Sequence, residues 1–242
     1  MAALSVFMKC ILQRVAFATS LVIVSCLTPA FAMIVNILPI QVCDNDGNNC
    51  ANSGQELYLA ETNKIWAQAD ITMNFLTWTS INNTSYQNFT SFADETTFFN
   101  DTANNGISGS ATTITMWFVQ TLTNTDFGTV DTIGGRKVMI ADNVFSTTRL
   151  DTIAHELGHN LGLTHDDPGM DLTYLMPTGG SRTIPGVIGD ITPDGAKLDK
   201  LTAAQITTAQ ASTYVVPLPG AIYLLTSGLG ILVLRIRKQA YV

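Results

Sequence analysis

The chain has 242 residues, 46% hydrophobic and 13% charged, which is enough for one domain of ordinary size with a sizeable core. Its formal net charge is −7. Five of the twelve Lys and Arg residues lie before residue 33 or after residue 213, and all nineteen Asp and Glu lie between, so the body sets seven basic against nineteen acidic side chains. So acidic a body offers nucleic acid no electrostatic footprint, and its charge serves solubility outside the cell.

In chain order, Lys9 and Arg14 precede an apolar run from Val15 to about Leu27, and Ala30-Phe31-Ala32 follows. This pattern predicts a secretory signal peptide over residues 1–32, cleaved after Ala32. The alternative is an uncleaved anchor helix, for which the run is short. Residues 33–42 are β-branched and apolar and predict a buried first strand, with a bulge or a sheet edge at Pro39. Cys43 and Cys50 bracket DNDGNN and are the cysteines left after the signal segment. In an exported chain they predict a disulfide closing a short turn, the alternative being a cysteine that caps a metal. The acidic turn lacks the Gly and Glu that a calcium-binding EF-hand loop needs at its sixth and twelfth positions, and reads as an Asx-rich turn.

Ser53-Gly54-Gln55-Glu56 has the form of a capping box opening a helix to about Gln68, with Tyr58, Ile65, Trp66 and Ala69 on its core face. A strand is predicted from Ile71 to Thr79, then a long loop over residues 80–110, rich in Asn, Ser, Thr and Asp. Asn82, Asn83, Asn88 and Asn100 in that loop are formal glycosylation sequons. Thr112 to Leu122 is the strongest strand signal, apolar enough for a central position. Residues 127–130 and 137–141 predict a pair of strands around a Gly134-Gly135 turn.

The next helix carries the chemistry. It is expected to start from a cap at Thr147 or Thr148, and Leu150, Ile153, Ala154, Leu157 and Leu161 supply its core stripe. Residues 155–165 read HELGHNLGLTH. His155 and His159 are four apart, so on a helix their rings stand about 40° from each other, one turn apart, and can share a metal ion. Gly162 permits the turn that brings His165 round as a third ligand. Three protein ligands leave a fourth position open, the arrangement of a catalytic rather than a structural zinc site. Glu156 is placed to act on the attacking water as general base. All three histidines of the chain lie in this stretch, so the expected cofactor is one Zn²⁺ ion.

HELGHNLGLTH resembles the extended zinc signature of the metzincin metalloproteases. Met176, in Tyr174-Leu175-Met176-Pro177, resembles the methionine that this family carries in a turn beneath the metal, and Asp166 after the third histidine resembles the reprolysin-like branch. The resemblance covers residues 155–177. It implies an α/β (α+β) domain over residues 33–213: a twisted mixed sheet, an active-site helix and a mostly irregular C-terminal subdomain. It also implies hydrolysis of a protein or peptide substrate that pairs with an edge strand, here residues 128–133 by layout. No tyrosine follows Met176 where some branches place one. Asp199 to Ala211 predicts a closing helix with Leu201, Ala204, Ile206 and Ala209 in phase.

The tail, residues 214–242, runs from Val216-Pro217-Leu218-Pro219 through an apolar stretch ending at Leu234 to Arg235, Arg237 and Lys238. It resembles the PEP-CTERM sorting signal of Gram-negative bacteria. That implies transient membrane insertion, an exosortase-type processing partner, and a destination in the cell envelope, on the outer surface or in the extracellular matrix. The alternative is a plain single-helix anchor. The expected activity is that of an exported zinc endopeptidase. The competing readings are a zinc-binding surface or matrix module without useful hydrolysis, and a zinc hydrolase acting on a non-peptide amide.

Overall fold

Successive side chains of β1, Met33–Cys43, point alternately into two apolar layers. Val35 and Ile37 enter one core cluster, Ile40 and Val42 the other. The computed structural model describes residues 33–165, 171–178 and 180–217. Its sheet combines β1 with β2 (Ile71–Phe75), β3 (Thr79–Asn82), β4 (Thr113–Val119), β5 (Gly128–Val130), β6 (Lys137–Ala141) and β7 (Val215–Pro217). The order is β2-β1-β4-β6-β5, with β3 and β7 also paired to β1. All pairings are parallel except β5 with β6 and β7 with β1.

β4 is central, as its composition predicted, and all seven of its residues are buried. Ile114, Met116 and Phe118 face the layer that holds α1 (Leu59–Trp66) and α4 (Thr152–Asn160). Trp117 and Val119 face the opposite layer, where Trp117 packs edge-on against Phe98 of α2 (Phe92–Asn100), centroids 5.1 Å apart. Cover on both faces explains why these strands are nearly continuous apolar runs.

Several expectations are corrected. Pro39 marks neither an edge nor a bulge: β1 is flanked on both sides. The β2 register ends at Ile37, whose carbonyl accepts from Leu76 N at 2.8 Å, and the β3 register begins at Ile40. Alternate residues turn their amides toward the same neighbour, so Pro39 faces the step between the two partners, where its missing N–H costs nothing. The single strand expected over 71–79 is therefore two short ones.

The 80–110 segment is not a plain loop. It contains β3 and α2, whose cap Ser91 accepts from Asp94 N, with Asp94 and Glu95 in the first turn and Phe98 and Phe99 buried. Polar density concealed a capped amphipathic turn. The first helix starts at Leu59 rather than at the Ser53 box. Glu56 Oε1 accepts from the amides of Leu57 (2.8 Å) and Tyr58 (2.7 Å), and Asn52 pairs with the Glu56 backbone, so these polar groups build a turn ahead of the helix.

Neither Thr147 nor Thr148 caps the active-site helix. Thr147 closes the short α3 (Asn143–Ser146), Thr148 is left-handed at φ 55°, and α4 starts after Asp151. The closing helix α5 spans Ala203–Gln210 and is capped by Thr202 and Gln205 in a reciprocal box; Ala204 is exposed and Gln205 buried, against the expected stripe. Among the described residues no helix is long and apolar enough to cross a membrane. The expected signal peptide and the tail beyond Pro217 lie outside them, as does Asp166.

Candidate metal centre and cleft

All nine residues of α4 are buried, so the helix has no solvent face. Ile153, Ala154, Leu157 and the following Leu161 seat it on the sheet, which fixes the directions of the remaining side chains. His155 and His159 leave the helix one turn apart. Gly162, at φ 94°, reverses the chain, and Leu163 N closes the turn on Gly158 O at 2.9 Å. His165 is thereby returned to its partners, with Nε2 at 3.2 Å from His155 Nε2 and 3.1 Å from His159 Nε2.

The spacing can be tested against an ion. Tetrahedral ligands at 2.0–2.1 Å from zinc stand roughly 3.3 Å from one another, and the observed separations lie close to that. The opposite ring nitrogens agree: His155 Nδ1 lies 2.7 Å from Leu175 O, and His159 Nδ1 2.8 Å from Leu163 O. A hydrogen donated from Nδ1 to each carbonyl leaves the Nε2 lone pair for a metal. Burial, followed for His155 by the nearby Arg182 charge, pushes both rings below their usual pKa, so they are neutral donors at pH 7. A divalent, nitrogen-preferring ion fits this set, and zinc is its commonest occupant.

Glu156 lies beside the first histidine with its side chain against β5. A Cβ built on Gly128 would fall 2.6 Å from Glu156 Cγ, so the absence of a side chain there makes the room. Burial pushes the Glu156 carboxyl up to about 8, reinforced by Asp126 and opposed by Arg182. Met176 is fully buried beneath the helix, where a Cβ on Gly158, between the two histidines, would come within 2.7 Å of its sulfur. The turn carrying it hangs from the segment before α5 through Leu175 N to Lys200 O, 3.1 Å.

These groups face a cleft of about 800 Å³, walled by residues 124–130 with Ile133 on one side, by Arg149, Thr152 and the α4 face, and by Thr178, Gly180 and Arg182 beyond the Met176 turn. Among the described residues, β5 is the last strand of the sheet and pairs inward with β6 alone. The edge expected over 128–133 is strand at 128–130. A turn follows, tied to α4 by Gly134 N donating to His159 O at 2.8 Å. Away from the cleft, Cys43 and Cys50 form a disulfide, which removes the metal-capping alternative, and Asp44 closes the Asx turn by accepting from Asp46 N and Asn48 N.

Three participants were not anticipated. Arg182 is buried with Nε 2.6 Å from Asp151 Oδ2 and Nη1 2.8 Å from His155 Nδ1. Asp151 stands at the N-cap position of α4, yet its carboxylate binds Arg182 and makes no capping bond. Asp199 is fully buried near Asp151, and burial, with the Asp151 charge next, pushes its carboxyl up to about 8. An aspartate directly ahead of a helix was a readable signal. Nothing in spacing or composition pointed to Arg182 or Asp199.

A metal-ready trio of imidazoles on a buried helix, open to a cleft beside a sheet edge, defines a metallopeptidase domain. The sequence profile of metallo-peptidase family M12 matches residues 35–183, and the chain belongs to that family. Among curated proteins no sequence matches. Distant structural likenesses include metalloproteinase-II from Bacteroides fragilis, 16% identical with a TM-score of 0.45, covering 76% of this chain and 54% of that one. Archaemetzincin from Methanopyrus kandleri is 13% identical with a TM-score of 0.41, covering 77% and 98%. A protein in a chaperone-substrate complex is 9% identical at 0.47, covering 76% and 34%. The chain thus spans about a third and about half of the length of the first two of these structures it matches, the chaperone-substrate protein and metalloproteinase-II.

Proposed function

We propose that the protein is a zinc-dependent endopeptidase of the metzincin type, with His155, His159 and His165 as the metal ligands and Glu156 as the general base. The observation that carries this reading is the convergence of three Nε2 atoms next to a buried carboxyl that lies against the edge strand. A bound zinc ion would polarise the scissile carbonyl and acidify the attacking water. The protein's own groups do the rest. The outer edge of β5 receives an extended substrate backbone as an added strand. Glu156 takes the proton of the water and delivers it to the leaving amine. Met176 floors the site and moves no proton. Water enters from the cleft, and the apolar layer behind α4 keeps it from the rear.

Export is part of the same proposal. The Cys43–Cys50 disulfide supports an oxidising destination. The residues of the two ends support a cleaved signal peptide and exosortase-type sorting to the cell envelope or matrix of a Gram-negative bacterium.

The test is zinc content and cleavage of a mixed peptide library by the parent and by Glu156→Gln. One zinc in each, with cleavage by the parent reduced at least 10²-fold in the variant, is the expected result. Zinc in both and cleavage in neither would favour a binding module or a non-peptide amide substrate. Zinc in neither would end the reading.

A further inference from the structure

Three buried ionisable side chains from three separate parts of the chain meet behind His155. Asp151 precedes α4, Arg182 follows the Met176 turn, and Asp199 precedes α5. Burying charges is costly, and apolar residues of similar volume usually stabilise as well or better. A group of this kind therefore calls for a reason other than stability. Its contacts supply one. The Arg182 side chain is 1% exposed and that of Asp151 0%, joined at 2.6 Å. From that anchor, Arg182 Nη1 reaches His155 Nδ1 at 2.8 Å and the Pro177 carbonyl at 3.5 Å. Pro177 and Leu175 flank Met176, and the Leu175 carbonyl lies 2.7 Å from the same His155 nitrogen.

We propose that Arg182 is a positioning residue for the metal centre: anchored on Asp151, its guanidinium locks the back of the His155 ring and the Met176 turn to the start of the active-site helix. The inference rests on the reading of the three histidines as metal ligands. With Nε2 committed to a metal, His155 Nδ1 carries a hydrogen, and the Leu175 carbonyl accepts it. The Arg182 hydrogens then go to Asp151 and Pro177 O, and Nη1, held 2.8 Å from Nδ1, stands against the back of the ring and stops it from swinging away. A planar fork does this and a point charge does not, so lysine is a poor substitute. Asp199, fully buried, lies near the same pair.

The experiment measures zinc affinity by competition with a chromogenic chelator, and the visible spectrum of the Co²⁺-substituted chain, in four forms: parent, Arg182→Lys, Arg182→Met and Arg182→Met/Asp151→Asn. The double variant removes the unpaired carboxylate that the single change leaves buried, and is expected to fold where Arg182→Met does not. Its zinc affinity is expected to fall about 10- to 100-fold, as for lost partners of a ligating histidine, with an altered cobalt spectrum. Arg182→Lys should fall between it and the parent. Affinity and spectrum of the double variant within twofold of the parent would overturn the proposal, leaving the pair a mere core filler. Failure of the double variant to fold would also overturn it, making the group a requirement of the fold. A parent that binds no zinc would remove the reading beneath it.

Discussion

Gly128→Ala is the smallest change that reaches Glu156, the proposed general base, without touching the three histidines. The added Cβ would stand 2.6 Å from Glu156 Cγ, 2.8 Å from Cδ and 3.0 Å from Oε1, where ordinary contact begins near 3.4 Å. About 0.8 Å must therefore be found, either by swinging the carboxyl away from the edge strand or by pushing β5 outward. β5 has three residues and, among the described residues, pairs only with β6, so it yields more readily than α4, all nine of whose residues are buried. The overpacking costs about 1–2 kcal/mol, partly offset by the gain from replacing glycine in a strand. Catalysis is more sensitive: displacement on the order of 1 Å costs about 10²-fold, or ~2.7 kcal/mol. The expected outcome is an unchanged zinc content, a melting temperature within a few degrees of the parent, and kcat/KM down about 100-fold. Gly109→Ala, whose Cβ would meet nothing within 4 Å, serves as the control. Equal activity in Gly128→Ala would refute the argument that the edge strand sets the position of Glu156. Loss of activity in step with loss of zinc would refute it too.

Asp199 bears on stability. Burial first, and the Asp151 charge next, push its carboxyl up to about 8. The native state then holds this proton more tightly than the unfolded chain, so the stability tied to Asp199 is fully present below about pH 4 and declines as pH rises toward 8. Asp199→Asn keeps a donor for Asp151 and suits the left-handed backbone at φ 55°. It should flatten the decline and melt higher than the parent at pH 8.5; a lower melting point there would contradict this. Metal binding offers another pH signature. His155 and His159 are pushed down and already neutral at pH 7, whereas Glu156, pushed up to about 8, carries a proton in the metal-free chain. Calorimetric zinc titration in buffers of different ionisation enthalpy should report about one proton released by the parent and fewer by Glu156→Gln; equal release would assign the proton elsewhere. Finally, the Cys43–Cys50 bridge spans a sequence separation of 7. Chain-entropy reasoning gives it roughly 2.5 kcal/mol, so Cys43→Ser/Cys50→Ser should lower thermal stability while leaving zinc content intact.

The sequence by itself determined whatever follows from local spacing. Histidines at i and i+4 share a helix face, a glycine after them permits the left-handed reversal, and two cysteines around an Asx-rich turn are close enough to join. The apolar run at β4 placed it at the sheet centre, because only strands covered on both faces can afford such runs. Tertiary structure decided everything that depends on parts of the chain meeting over a distance. Thr148 is left-handed, and Asp151 at the N-cap position of α4 makes no capping bond because its carboxylate is drawn to Arg182, 31 positions away. Pro39 sits within a fully flanked strand because its neighbours change beside it. Gly128 is an ordinary glycine until β5 is laid against Glu156 of α4, and Arg182 and Asp199 are loop residues without a readable signal until burial gathers them around Asp151. Local spacing specified which groups can hold the metal; long-range packing specified what holds those groups still.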